Sequence, residues 1–110
     1  MREIGVLRQG ILGFINRIET TVNTKETFLA SEDQKDIIVF NLERIGEALK
    51  QMASKFPETS DNKSFREFSG LRDIVIHKYF DVDYELIWKI VKEDIPVLKR
   101  SVLDLKVEDA

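Results

Sequence analysis

The chain has 110 residues, a length that predicts a single domain covering 1–110. Its residues are 43% hydrophobic and 34% charged, which is typical of a globular protein. It has no cysteine, which excludes disulfides, thiolate catalysis and cysteine-based zinc sites. The net charge of −3 makes the overall surface a poor polyanion binder, so any nucleic acid must contact a local patch such as segment 61–80. Neither a membrane-spanning stretch nor a signal peptide is recognisable, so we expect a cytoplasmic protein without membrane contacts.

The first half of the chain shows the three- and four-residue apolar spacing of amphipathic helices. This spacing predicts a first helix over about residues 3–20. The stretch "TKETFLAS" predicts a short helical turn with Thr24 as its cap. A second long helix is predicted over about 32–55, where Ser31 and Gln34 fit an S-x-x-Q capping box.

The second half predicts two further helices after a loop at "FPETSDNKS". One begins near residue 64 and ends near residue 79 or 80, and Asp81 or Asp83 then caps the next. The last runs over about 84–105, with Pro96 expected to kink or split it. Four amphipathic helices with short connections predict an all-α, antiparallel four-helix bundle with an extra short helical turn and a core over about 3–105.

Several kinds of catalytic or binding site have no support in the sequence. Neither G-x-x-x-x-G-K-[ST] nor G-x-G-x-x-G occurs, so no phosphate-binding loop is indicated. No E-x-x-H occurs, and His77 is the only histidine, so a carboxylate-bridged pair of metal ions and a multi-histidine metal site are both unsupported.

What remains is R-x4-H-x-Y within "GLRDIVIHKYFDVD", formed by Arg72, His77 and Tyr79, with Asp73 beside the arginine. An imidazole can give or take a proton near neutral pH. A guanidinium stays charged and can bind a phosphate through two hydrogen bonds. Together the two groups suit cleavage of an RNA phosphodiester without a metal ion.

Helical geometry leaves the arrangement of this motif open. Residues five apart are separated by roughly 140° around an α-helix, so Arg72 and His77 do not share a face, whereas Asp73 and His77 do. Either the arginine side chain wraps around, or the helix ends early, or a second chain completes the site. From spacing alone the simpler interpretation is that His77 is a helix-end residue, with Arg72 and Asp73 as surface charges and Tyr79 at the edge of the core.

Three blocks of sequence add information to the motif. They are "IIVFNLERIGEALKQM", "FREFSGLRDIVIHKYFDVD" and "ELIWKIVKEDIPVLK", which together extend over most of residues 35–100. In these blocks the chain resembles the HepT-like branch of the HEPN superfamily, the toxin half of HepT–MntA toxin–antitoxin modules. The first helix matches only in pattern, and "DNKSF" lacks the tryptophan common in relatives.

The resemblance implies an all-α HEPN bundle, usually a homodimer, that acts as a metal-independent and cofactor-free endoribonuclease toxin of a type VII system. Its substrate would be RNA, either mRNA or tRNA, and not DNA. By position, Arg72 and His77 match the catalytic pair. Asp73 occupies a supporting polar position where many relatives have Asn. Tyr79 matches the tyrosine that an MntA-like nucleotidyltransferase antitoxin modifies with AMP, which would block the site.

Two other interpretations stay open at this point. The acidic surface favours a non-catalytic HEPN module that binds a nucleotidyltransferase partner or a nucleotide. The third interpretation is a purely structural helical dimer in which the motif is incidental. Trp88 is expected in the core or at an interface rather than as a platform for stacking bases.

Overall fold

The computed structural model describes residues 3–77 and 82–105, with side chains described for 3–70 and 82–105. This part of the chain is helical and contains no strand, which confirms the predicted all-α class. The helices are α1 (Glu3–Thr21), α2 (Lys25–Ala30), α3 (Glu32–Lys55), α4 (Lys63–His77), α5 (Tyr84–Lys89) and α6 (Ile95–Leu103). A 3₁₀ helix (Pro57–Asp61) precedes α4, and a π-helical turn (Ile90–Asp94) joins α5 to α6.

The core is built around the contact between α1 and α3, which is the most extensive between any two helices in the described part of the chain. Both helices bring the predicted apolar stripe inward at three- and four-residue steps, because that spacing lines one side of an α-helix. The fully buried isoleucines of the two stripes are Ile11, Ile15, Ile18, Ile38 and Ile45. Helix α4 then packs against α3, and α6 packs against both α1 and α4.

Polar contacts at the helix ends fit the antiparallel arrangement. Lys55 at the end of α3 pairs with Glu3 at the start of α1. The Arg8 guanidinium of α1 donates to the carbonyl oxygens of Val102 (3.2 Å) and Leu103 (3.1 Å) at the end of α6. A positive charge at that position complements the helix dipole and satisfies carbonyls that lack helical partners.

The caps of α2 and α3 differ from the prediction in one respect. Thr24 and Thr27 form a complete capping box at the start of α2, with reciprocal bonds of 3.1 and 3.2 Å. At α3 only half of the predicted box forms, where Gln34 N–H donates to Ser31 Oγ (3.1 Å). The other half is missing because Ser31 also ends α2, and its N–H donates to the Phe28 carbonyl instead.

The loop predicted at residue 56 onward contains the 3₁₀ helix, which begins with Pro57. Of the two caps proposed after α4, Asp83 is confirmed, because its carboxylate accepts from Leu86 N–H at 3.1 Å. Asp81 lies outside the described residues. The predicted end of α4 near residue 79 or 80 also lies outside them, and the helix is described to His77.

Pro96 splits the last predicted helix, as expected. Proline cannot donate to the carbonyl four residues earlier, and its ring clashes with that carbonyl. The chain accommodates Pro96 by widening into the π-helical turn, in which Ile95 N–H reaches the Ile90 carbonyl five residues back. The extra residue keeps the apolar stripe pointing inward, so Ile87 before the turn and Leu98 after it are both buried.

None of the helices in 3–77 and 82–105 is long and apolar enough to cross a membrane.

Two adjacent isoleucines of α3 provide a matched test of the core. Ile38 is 0% exposed and Ile37 is 42% exposed. We expect Ile38→Ala to lower the free energy of unfolding by about 2–5 kcal/mol, because it leaves a cavity among packed side chains. Ile37→Ala makes the same change in helix propensity, and its free energy of unfolding should stay within about 0.5 kcal/mol of the wild-type value. Urea denaturation measures both, and equal losses would contradict this assignment of the core.

Candidate functional site

Helix α4, which carries Arg72, Asp73 and His77, is anchored at its start. The Asn62 side chain caps it by accepting from Phe65 N–H at 3.1 Å, and the Asn62 carbonyl accepts from Arg66 N–H. Phe65 and Phe68 are buried in the core at 5% and 3% exposure. The cap and these two aromatic side chains fix the rotation of α4 about its axis, and that rotation sets the side of the helix on which every later residue lies.

The backbone places three of the four candidate residues on α4. Arg72, Asp73 and His77 lie in its second half, and their side chains are outside the described part; Tyr79 lies outside the described residues altogether. Because α4 is helical through His77, a helix that ends before the histidine is no longer an option. A wrapped arginine side chain and a second chain both remain compatible with the backbone.

The helical register assigns the motif to two sectors of α4. Position 72 follows Phe65 by seven residues, so the backbone places it about 20° from Phe65 around the helix axis. Position 77 follows Arg66 by eleven residues and also lies about 20° from it. Position 73 lies about 20° from Arg66 on the other side, so the backbone places Asp73 and His77 in the sector of Arg66. The backbone therefore groups Asp73 with His77 and separates both from Arg72.

Trp88 packs as a structural residue, as expected. Its ring lies 5.6 Å from that of Phe28, a fully buried residue of α2. The Lys92 ammonium lies 5.5 Å from the centre of the indole ring. A tryptophan whose ring meets the core and a cation offers little free face on which a base could stack.

The sequence did not predict the exposed apolar surface that lies between α1 and α3. It borders a cavity of about 480 Å³ whose lining includes Val6, Gly10, Phe14, Phe40 and Arg44. Phe40 is 49% exposed, and the Arg44 guanidinium lies 4.3 Å from the centre of its ring. A Cβ at Gly10 would meet nothing within 4 Å, so packing does not require this glycine. A glycine inside a helix lowers the stability of that helix, so Gly10 was the feature of the sequence that could have indicated this surface.

The pKa of the Asp94 carboxyl, which lies near α4, is shifted by its surroundings. Asp94 is half-buried at the start of α6, with no side-chain hydrogen bond to the helix end. Burial raises its pKa above the ordinary value, and Glu93 and Glu67 raise it further, against the opposing effect of Lys89. Glu67 belongs to α4, so this acidic group lies where α4 and α6 meet.

A family comparison covers the bundle and the motif together. Residues 11–105 match the family described as ribonuclease HepT-like. The chain belongs to the HepT-like ribonuclease family, which confirms the resemblance seen in the three sequence blocks.

Individual relatives agree with this assignment. "Putative RNase MJ1216" of Methanocaldococcus jannaschii is 36% identical over 91% of this chain and 84% of its own length. "Probable ribonuclease HepT" of Thermococcus cleftensis is 42% identical over 67% of each chain. "Gamma-glutamylcyclotransferase and putative RNase MJ0434", also of M. jannaschii, is 37% identical over 97% of this chain, which spans 49% of that protein. No solved structure matches the chain.

The pKa of Asp94 predicts how stability depends on pH. A raised pKa means that the folded state holds the proton more tightly than the unfolded state, so this carboxyl lowers stability as pH rises through its folded pKa. We expect Asp94→Asn to raise the melting temperature at pH 7, with the gain disappearing below about pH 3.5, where the carboxyl is protonated in both states. Asp36→Asn, an exposed change on α3, is the control. A gain that persists at low pH would contradict the electrostatic explanation.

Proposed function

We propose that this chain is a metal-independent endoribonuclease, the toxin of a type VII toxin–antitoxin pair of the HepT–MntA kind. The observation that carries the proposal is that R-x4-H-x-Y, residues 72–79, falls inside the stretch 11–105 that matches the ribonuclease HepT-like family. The relatives' names as ribonucleases support RNA, either mRNA or tRNA, as the substrate class.

In the proposed reaction His77 moves the proton. The imidazole takes the proton of a ribose 2′-hydroxyl, and the 2′-oxygen then attacks the adjacent phosphorus. The bond from phosphorus to the 5′-oxygen breaks, and the imidazolium returns the proton to that oxygen. Arg72 binds the phosphate and stabilises the negative charge that grows on it. Asp73, four residues before His77 on the same sector, is in position to orient the imidazole.

A second copy of the chain completes the site in this proposal. Roughly 140° separate positions 72 and 77 around α4, and α4 is helical through His77. Two copies related by a twofold axis would let Arg72 of one protomer meet His77 of its partner, and would build the same site twice. The homodimer is thus part of the proposed mechanism, because each site takes one residue from each copy.

Regulation would act through Tyr79, two residues beyond His77. We propose that an MntA-like nucleotidyltransferase antitoxin transfers AMP from ATP to the tyrosine hydroxyl, with pyrophosphate as the leaving group. The attached adenylate is bulky and anionic. It would occupy the space of the RNA and compete for the charge of Arg72.

The catalytic assignment predicts the behaviour of two variants. His77→Ala should lower kcat on single-stranded RNA by about 10²–10⁴, the range for loss of an acid–base group. Arg72→Ala should lower it by about 10²–10³ through lost charge stabilisation. Arg100→Ala, which removes an exposed arginine of α6, should cleave normally. Metal-free cleavage assays with purified protein provide the measurement.

Mixed dimers then test whether the site is shared. Arg72→Ala and His77→Ala chains with different tags are co-expressed, and the heterodimer is isolated. A site shared across the dimer leaves one of two sites intact, so about half of the wild-type activity should return. An inactive heterodimer would rule out the shared site. Background-level cleavage by wild type, with partner binding intact, would instead favour a non-catalytic binding module.

The proposed modification predicts a change in mass. Co-expression with the nucleotidyltransferase partner should raise the intact mass of the wild-type chain by whole adenylate units and abolish its ribonuclease activity. Tyr79→Phe keeps the ring and removes the acceptor hydroxyl, so it should show neither effect. Adenylylation of the Tyr79→Phe protein would show that the acceptor is a different residue.

A further inference from the structure

A cavity of about 360 Å³ lies between the end of α3, the 3₁₀ helix and the first half of α4. Leu49, Ala53 and Phe65 supply its apolar lining, and Thr59, Ser60, Arg66, Ser69 and Gly70 complete it. The cavity thus combines apolar surface with a cation and several hydroxyl groups. This combination suits a ligand that is partly apolar and partly anionic.

Arg66 is a cation with no anionic partner among the described residues. No carboxylate of 3–70 or 82–105 is recorded within ion-pair distance of its guanidinium, and the side chain is exposed. Lys63, one turn earlier on the same helix, instead pairs with Glu67 at 3.7 Å. The chain as a whole has a net charge of −3. Arg66 nevertheless provides a local positive charge beside the cavity that can bind an anion.

Two of the three hydroxyl groups of the cavity are oriented by hydrogen bonds to the backbone. Thr59 Oγ1 donates to the Phe56 carbonyl at 2.8 Å, and Ser60 Oγ donates to the Pro57 carbonyl at 2.6 Å. Their donor capacity is used in these bonds, so each oxygen is left to accept a hydrogen bond. A ribose 2′-hydroxyl is a donor that fits such acceptors.

The helical register links this cavity to the proposed catalytic residue. Arg66, Gly70, Asp73 and His77 follow one another at steps of four, three and four, so they form one row along α4. The row is about 16 Å long from Arg66 to His77, a length that several nucleotides of single-stranded RNA can span. Gly70 lies in the middle, and a Cβ there would meet nothing within 4 Å. Because no side chain projects from the helix at Gly70, a nucleic-acid backbone can pass close to the helix there.

We propose that this cavity is a subsite for the sugar–phosphate backbone of the RNA, in which Arg66 binds a phosphate several nucleotides from the one that is cleaved. The inference rests on the proposed ribonuclease function, and it adds a positioning residue remote from the chemistry. Arg66 holds a remote phosphate and so positions the RNA along α4, while His77 transfers the proton.

The test compares RNAs of two lengths. On a single-stranded oligonucleotide long enough to cover the whole row, Arg66→Ala should raise KM roughly tenfold, the loss expected for one charge-assisted hydrogen bond, and leave kcat unchanged. On a dinucleotide, which cannot reach from His77 to the cavity, the same variant should match wild type. Lys63→Ala, which removes a lysine already paired with Glu67, is the control and should match wild type on both.

Salt dependence identifies the contact as a phosphate. Binding of the long RNA is measured by fluorescence anisotropy in the His77→Ala background, so that the RNA stays intact. Loss of one phosphate contact should reduce the slope of log K against log salt concentration by about 0.7. Arg66→Lys keeps the charge and should keep the slope.

The outcomes separate this inference from the proposed function. If wild type cleaves in a His77-dependent way while Arg66→Ala leaves KM and the salt slope unchanged, the subsite is wrong and the ribonuclease stands. An equal effect of Arg66→Ala on the dinucleotide would also overturn the subsite, because Arg66 would then act at the cleavage point or on the fold. A wild-type protein that neither binds nor cleaves RNA would overturn both proposals.

Discussion

The close packing of α1 against α3 is the contact on which the rest of this bundle depends. The chain has no disulfide, so buried apolar surface must offset the entropy lost on folding. Ile11 and Ile15 from α1 and Ile38 and Ile45 from α3 are all fully buried. Helices α4 and α6 pack onto this pair. A loss of packing between α1 and α3 therefore weakens the surface against which α4, the helix of Arg72 and His77, packs.

The position of the motif follows from this dependence. The first half of α4 is fixed by the Asn62 cap and by Phe65 and Phe68. The fixed start of α4 determines the angular position of each later residue around the helix axis, since each residue advances by about 100°. The start of α4 can therefore set the positions of Arg72 and His77 without itself belonging to the proposed catalytic site.

Much of the bundle could be predicted from the sequence, because the spacing of its apolar residues reports helices directly. The bounds of α1 and α3 were predicted to within one residue, as was the Thr24 cap. Asp83 was one of two predicted caps, and a split was one of the two outcomes expected at Pro96. The incomplete cap at Ser31 was not, because one residue both ends α2 and begins α3. The α1–α3 surface was missed since an exposed Phe40 resembles a buried one in sequence; only the structure separates them.

The site was less predictable than the fold. The spacing of a motif gives the angular positions of its residues around one helix, but it does not say which groups face that helix. A spacing of four would have put arginine and histidine on one face, and a single chain could then hold a phosphate between them. The spacing of five in R-x4-H instead places positions 72 and 77 roughly 140° apart around the axis of α4. A twofold axis brings different sectors of two identical helices face to face, which is the physical reason for proposing a site shared between two copies.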